Sequence, residues 1–149
     1  MKAKGYLLKI KAMDTMINAD IEELAALEAL ATKTTSVLSD DKVQSSGSQQ
    51  KMADAVAKIV ELKDRINEEI DRFVDFKEEA KNLIFDACDG DCIALLYKRY
   101  FHDKKWEEIA LEMNFTYQWV SGGLHQRALS QVQKVLDERN GDGNEGNQP

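Results

Sequence analysis

WEEIALEMNFTYQWVSGGLHQRAL, residues 106–129, is the stretch on which the fold turns. A helix-turn-helix needs a small residue where its helices cross, a tight turn, and apolar anchors that hold the second helix with its far face outward. Ala110 is the small residue, between Ile109 and Met113; Asn114, Phe115 and Thr116 make the turn, with the Phe115 ring expected in the core; Val120 and Leu124 anchor the second helix. Trp106 opens the first helix as a packing residue, and Trp119 is expected to pack in the second. Asn114 stands where glycine is common, and asparagine tolerates the left-handed conformation that such a turn demands. Thr116 is placed to cap the second helix, which runs on to about residue 138.

Gly122 and Gly123 interrupt that helix, each costing roughly 1 kcal/mol against alanine in a helix interior. At about 100° per residue, the apolar positions from Val120 to Leu136 spread over roughly 180°, and with one glycine left out they close to roughly 140°. The spacing therefore predicts that one glycine is absorbed as a bulge or kink. With Val120 turned inward, the opposite face presents Gln118, Ser121, His125 and Gln126, with Tyr117 near the start. Glutamine and serine hydrogen-bond base edges, and a glutamine pairs with adenine through two bonds. Lys104, Lys105 and the helix starts, Thr116 included, are placed for phosphates. Each of these residues has a plainer reading as solvated surface, and His125 one as a partly buried hydrogen-bonding group. Arg127 lies nearer the anchored side and suits a structural ion pair.

Upstream, Ile93, Leu96, Tyr97 and Tyr100 form the apolar face of a short helix, with Asp91 spaced to cap it and Asp103 spaced to cap the next. Before that the chain reads as an arm. Leu7, Ile10, Met13, Ile17, Ile21, Leu24, Leu27 and Ala31 recur in steps of three and four, and a second stripe runs from Met52 to Leu83 with Glu69 its one charged member. KTTSVLSDDKVQSSGSQQ, between them, has the composition of a connecting loop. Two long helices joined by a loop most simply fold back as an antiparallel hairpin. Its narrow stripe leaves surface for the rest of the chain or for a second copy, a homodimer through the arm.

The expected organisation is a helical hairpin arm over 1–88 with its loop at about 33–50, a helix-turn-helix domain over 89–139, and a disordered tail over 140–149. Proline is absent except at Pro149, and long stretches are filled with strong helix formers, so the fold class is all-α. The net charge of −7 divides unevenly: −6 over residues 1–93, +1 over 94–139 and −2 in the tail, with no acid between Glu112 and Asp137. Phosphate can approach that segment, although only Arg127 and Lys134 attract it there.

Cys88 and Cys92 have no second Cys or His pair to complete a metal site, so the sequence predicts free thiols, no metal and no cofactor. It has no Gly-rich phosphate loop, HExxH or nucleophile elbow, and no acid/base spacing around His102 and His125, which points away from an enzyme. No apolar run reaches signal-peptide or membrane-span length, so the expected location is cytoplasmic, with no membrane partner.

LLYKRYFHDKKWEEIALEMNFTYQWVSGGLHQRAL resembles the fourth conserved region of sigma-70 family factors: a short Tyr-rich helix, a W-x-E-I-A helix, a turn, and a recognition helix ending near LH-x-R-A-L. Residues 4–137, with the DKVQSSGS segment, are similar to a family of small phage and prophage proteins of Gram-positive bacteria grouped with sigma-region-4-like late-gene regulators. The resemblance implies a long antiparallel helical hairpin followed by a sigma-region-4-like helix-turn-helix domain. Its implied function is phage-type regulation of transcription at promoter double-stranded DNA, at RNA polymerase, or at both. The glycine pair departs from the polar or basic residues usual at that place, which puts direct base reading there in question. The competing expectation is a phage structural or packaging adaptor, in which a degenerate helix-turn-helix binds protein.

Overall fold

The computed structural model describes residues 1–40 and 46–142, the side chains of 34–40, 46, 48 and 142 excepted. Among the described residues the chain is all helical, with no strand. Two long helices come first, α1 (Ala3–Asp40) and α2 (Ser46–Ala87). Then follow α3 (Gly90–Leu96), which continues into a π-helical turn (Tyr97–Phe101), and α4 (Trp106–Met113). A second π-helical turn (Trp119–Leu124) leads into α5 (His125–Asp142). No helix among the described residues is long and apolar enough to cross a membrane.

The loop expected at about 33–50 is much shorter: α1 runs on to Asp40 and α2 begins at Ser46, while residues 41–45 lie outside the described residues. Ser and Thr favour loops only weakly, and no Gly or Pro stands between Gly5 and Gly47 to stop the first helix. Thr32 satisfies its hydroxyl within the helix by donating to the Glu28 carbonyl at 2.9 Å. At the other end α5 extends to Asp142, past the expected start of the tail; residues 143–149 lie outside the described residues.

The covered positions of the two long helices keep a three-four rhythm, with Leu7 and Ile84 buried beside it near the ends that join the C-terminal helices. On α1 it runs Ala3, Tyr6, Ile10, Met13, Ile17, Asp20, Leu24, Leu27, Ala31. On α2 it runs Met52, Ala55, Ile59, Leu62, Ile66, Glu69, Phe73, Phe76, Ala80, Leu83. A repeat of 3.5 residues is the pattern of helices that coil about a partner. Ile21, expected on the stripe, is 44% exposed, and Asp20 takes its place.

The chain divides into two compact units, residues 13–73 and residues 1–12 with 74 onward. The boundary drawn from the sequence at 88/89 therefore moves, because the start of α1 and the end of α2 belong with the C-terminal helices. In the unit of residues 13–73, Lys63 pairs with Glu28 at 3.3 Å and Arg65 with Asp20 and Glu23 at 3.5 and 3.8 Å. Asp20 and Glu69, each with side chains only 15% exposed, meet in the covered stripe. Burial, then the hydrogen bond with Asp20 and its charge, raise the Glu69 carboxyl above its ordinary range, and Glu69 Oε2 is buried without a hydrogen-bond partner.

A raised carboxyl favours folding below its unfolded value and loses that contribution as pH rises through the raised one. Glu69→Leu is accordingly expected to stabilise the protein at pH 7 by about 1–2 kcal/mol, since an apolar residue commonly replaces a strained buried charge at a gain. The gain should shrink as pH falls from 7 towards 4.5 and be least at 4.5 and below, where protonation relieves the native pair. Melting curves at the two pH values check it, and equal shifts at both would remove the carboxyl pair as the cause.

In the other unit Leu7, Leu83, Ile84, Leu95, Leu96 and Ile109 are fully buried, together with Val120, Leu124 and Val132. Tyr6 meets Phe76 edge-on at 5.1 Å. Gln133 accepts from the Ala3 amide at 2.7 Å and donates to the Met1 carbonyl at 3.2 Å, so α5 holds the first turn of α1.

Candidate nucleic-acid interface

Ile109 and Ala110 bury the inner side of α4, which ends where Asn114 turns left-handed (φ 57°, ψ 38°). The Asn114 and Phe115 amides donate to the carbonyls of Leu111 and Ala110, closing the turn. Thr116 Oγ1 then accepts from the Trp119 amide at 3.2 Å, the cap expected of it. The upstream caps differ from expectation. Asp89 caps α3 through the Cys92 amide, in place of Asp91. Asp103 adopts a left-handed φ of 52° and pairs with Lys11, leaving α4 without a side-chain cap.

The turn Trp119–Leu124 is π-helical, and this is how the extra residue is absorbed. A π turn takes in one residue more than an α turn for the same rotation, so Val120, Leu124, Ala128, Val132 and Leu136 all stay buried. Both glycines lie in this turn, but they differ. A β-carbon on Gly123 would lie 2.3 Å from Cζ3 of Trp119, because the indole lies along the helix there; one on Gly122 would meet nothing within 4 Å. Trp119, expected as a packing residue, stays 43% exposed on that glycine seat.

The same phase shift decides between the two readings of His125, against the base-reading candidate and for the buried hydrogen-bonding group: it is only 7% exposed. Counted as an uninterrupted α-helix it faces out; with one residue taken up by the π turn it faces in. Its Nε2 lies 2.8 Å from Tyr100 Oη, and its ring meets the edge of Trp106 at 4.8 Å. Burial, then the charges of Lys4 and Arg99, hold its pKa down at about 4. Trp106 is half-buried under the Arg99 guanidinium, 4.5 Å from its ring centre.

Of the remaining candidates, Thr116, Tyr117, Gln118, Gln126 and Lys105 are exposed, and Ser121 is partly exposed with its hydroxyl donating to the Tyr117 carbonyl. Lys104 is not available as expected: it joins Lys98 on Glu112, at 2.5 and 2.7 Å, and these two bonds lower the Glu112 pKa to about 2. Arg127 makes the structural pair expected of it, to Asp89, a carboxylate held low first by its hydrogen bond from Gln131 and then by the Cys92 amide. Phe115, expected in the core, is 37% exposed, and Met113 is half-buried. Leu111, off the face of α4 that Ile109 and Ala110 bury, is 80% exposed on the same outer surface and was not singled out by the sequence.

Burial raises the thiols of Cys88 and Cys92 to about 11 and 12, the reverse of what thiolate chemistry requires. No cluster of three or more metal-ligating side chains occurs among the described residues. No family model, curated protein or solved structure matches this chain.

Proposed function

We propose that this chain is a DNA-binding regulator of transcription of the phage type, a helical hairpin arm followed by a sigma-region-4-like helix-turn-helix, acting at promoter DNA, at RNA polymerase, or at both. The observation that carries the reading is the segment from α4 to α5: Ala110 and Ile109 buried, Asn114 left-handed, Val120 and Leu124 in the core, and Gln118 and Gln126 left exposed. A second copy docked on the arm belongs to the same reading, since Val56, Val60 and Ile70 lie exposed on α2.

The electrostatics make a quantitative demand. Lys98, Lys104 and Arg127 are held in ion pairs, which leaves Lys105 and Lys134 as the exposed cations nearest the candidate face. Each phosphate neutralised contributes about −0.9 to the slope of log K against log salt, so a slope of only about −2 is expected. Titration of the full chain with duplexes from the genome that encodes it, from low to physiological salt, measures it. Binding of RNA polymerase is read in parallel by co-sedimentation. Absence of both sequence preference and polymerase binding would remove the proposal.

One observation favours the adaptor reading. Leu111, Phe115, Tyr117 and Trp119 are exposed around the turn, an apolar surface of the kind that marks protein contacts. In that case the same titration gives no DNA binding at any salt, and a protein partner covers these four side chains.

A further inference from the structure

Every large apolar side chain that α2 leaves exposed between Met52 and Phe76 falls on one line: Val56, Val60, Ile70 and Val74. With Lys63 and Asn67, both exposed, that line keeps steps of four and three over 56, 60, 63, 67, 70 and 74. It is a second heptad seam, about 100° around the helix from the covered stripe. The first helix widens it. Lys63 meets Glu28 at 3.3 Å, and two helical turns from that pair, seven residues on along α2 and seven back along α1, Ile70 comes beside Ile21, which is exposed as well.

The six positions mirror about residue 65. Two such helices laid antiparallel about a two-fold axis at that point bring Val56 level with Val74 of the second copy, Val60 level with its Ile70, and Lys63 level with its Asn67. Each apolar residue then meets an apolar one, and the asparagine amide oxygen can accept from the lysine ammonium. Laid parallel, the same seam would set Lys63 on Lys63, two like charges in one layer. We infer that this seam binds a second copy of the chain, antiparallel and centred at residue 65. The inference rests on the second copy in the reading proposed above and supplies its face, direction and register. The seam is about 27 Å long. Asp64 and Asp71, both exposed, edge it in each copy on the side away from α1, so apolar contact holds the pair against a like-charge flank, and salt strengthens it by screening that flank.

The test uses the full chain with one cysteine placed at a time and a short bismaleimide as crosslinker, the native protein serving as control for Cys88. In this register positions 60 and 70 of opposite copies are level, whereas 60 and 60, or 70 and 70, stand about 15 Å apart along the axis. Val60→Cys and Ile70→Cys are therefore expected to give no crosslinked dimer singly and to give one when mixed and left to exchange. Sedimentation is expected to show a concentration-dependent dimer, tighter at high salt than at low, which Val60→Glu weakens at least about tenfold while keeping native helical content. Crosslinking by either variant alone, loosening by salt, or a dimer untouched by Val60→Glu overturns the seam and its register while leaving a second copy in the reading above. A chain that stays monomeric at about 100 μM overturns the docked copy as well. The DNA titration is read separately, so the DNA reading stands or falls on its own result.

Discussion

Inserting one alanine after Ser130 is expected to lower the stability of the unit that holds α3 to α5 by about 3–6 kcal/mol, whereas deleting Gly122 should leave it as stable as before or slightly more so. The insertion rotates everything beyond it by about 100°. Val132 and Leu136, 0% and 8% exposed, would leave the core, and burying such side chains stabilises by about 1.5–3 kcal/mol each. The loss is comparable with the whole stability of a small domain. Deleting Gly122 instead removes the residue that the π turn takes up, so the helix becomes regular and its inner face stays aligned. Circular dichroism melting of the two variants decides the matter. An insertion that is tolerated, or a deletion that unfolds the protein, would show that the phase of α5 is not set at the π turn.

The second large effect is acid lability centred on His125. Its folded pKa of about 4 lies below its ordinary value of 6.5, so the unfolded chain takes up the proton first. The contribution of the neutral ring is complete above pH 6.5 and is lost as pH falls through 4. At about 1.36 kcal/mol per pKa unit, the loss reaches about 3 kcal/mol. Glu112, lowered to about 2 by its two lysines, gives way only below its own unfolded value of 4.5, so its window opens at the foot of that of His125 and most of the fall between pH 6.5 and 4.5 belongs to the histidine. Glu69 acts in the opposite sense. A pH series of melting temperatures should fall between pH 6.5 and 4 for the native protein and stay nearly level for His125→Phe, which keeps an aromatic ring against Trp106 and carries no titrating group. Parallel curves for the two proteins would falsify this assignment.

Much of the helical pattern was legible in the residues because it rests on local chemistry. Asn114 in its left-handed turn, Thr116 as a cap, and the absorption of one glycine all follow from neighbours within a few positions. His125 admitted two readings, outward to a base or inward to a hydrogen bond, and the one-residue shift that aligns the anchor residues of the same helix selects the inward one. Asp20 was missed in favour of Ile21 because both steps from Ile17 to Leu24 are permitted, and hydrophobicity alone prefers the isoleucine. The unbroken three-four rhythm selects the aspartate. The ion pairs of Lys104 and Lys98 with Glu112 could not be read beforehand, since they join residues 8 and 14 apart, the second across the Asp103 turn. They change the character of the surface most, by withdrawing two cations from it.

The seats of the two indoles give the protein a pair of optical reporters with separate duties. Trp106, edge-on to the His125 ring and under the Arg99 guanidinium, sits where a protonated imidazole quenches its emission, so its light follows the state of the interior. Trp119, laid open on Gly123, is within reach of a dissolved quencher such as iodide and loses that access once the outer face is occupied.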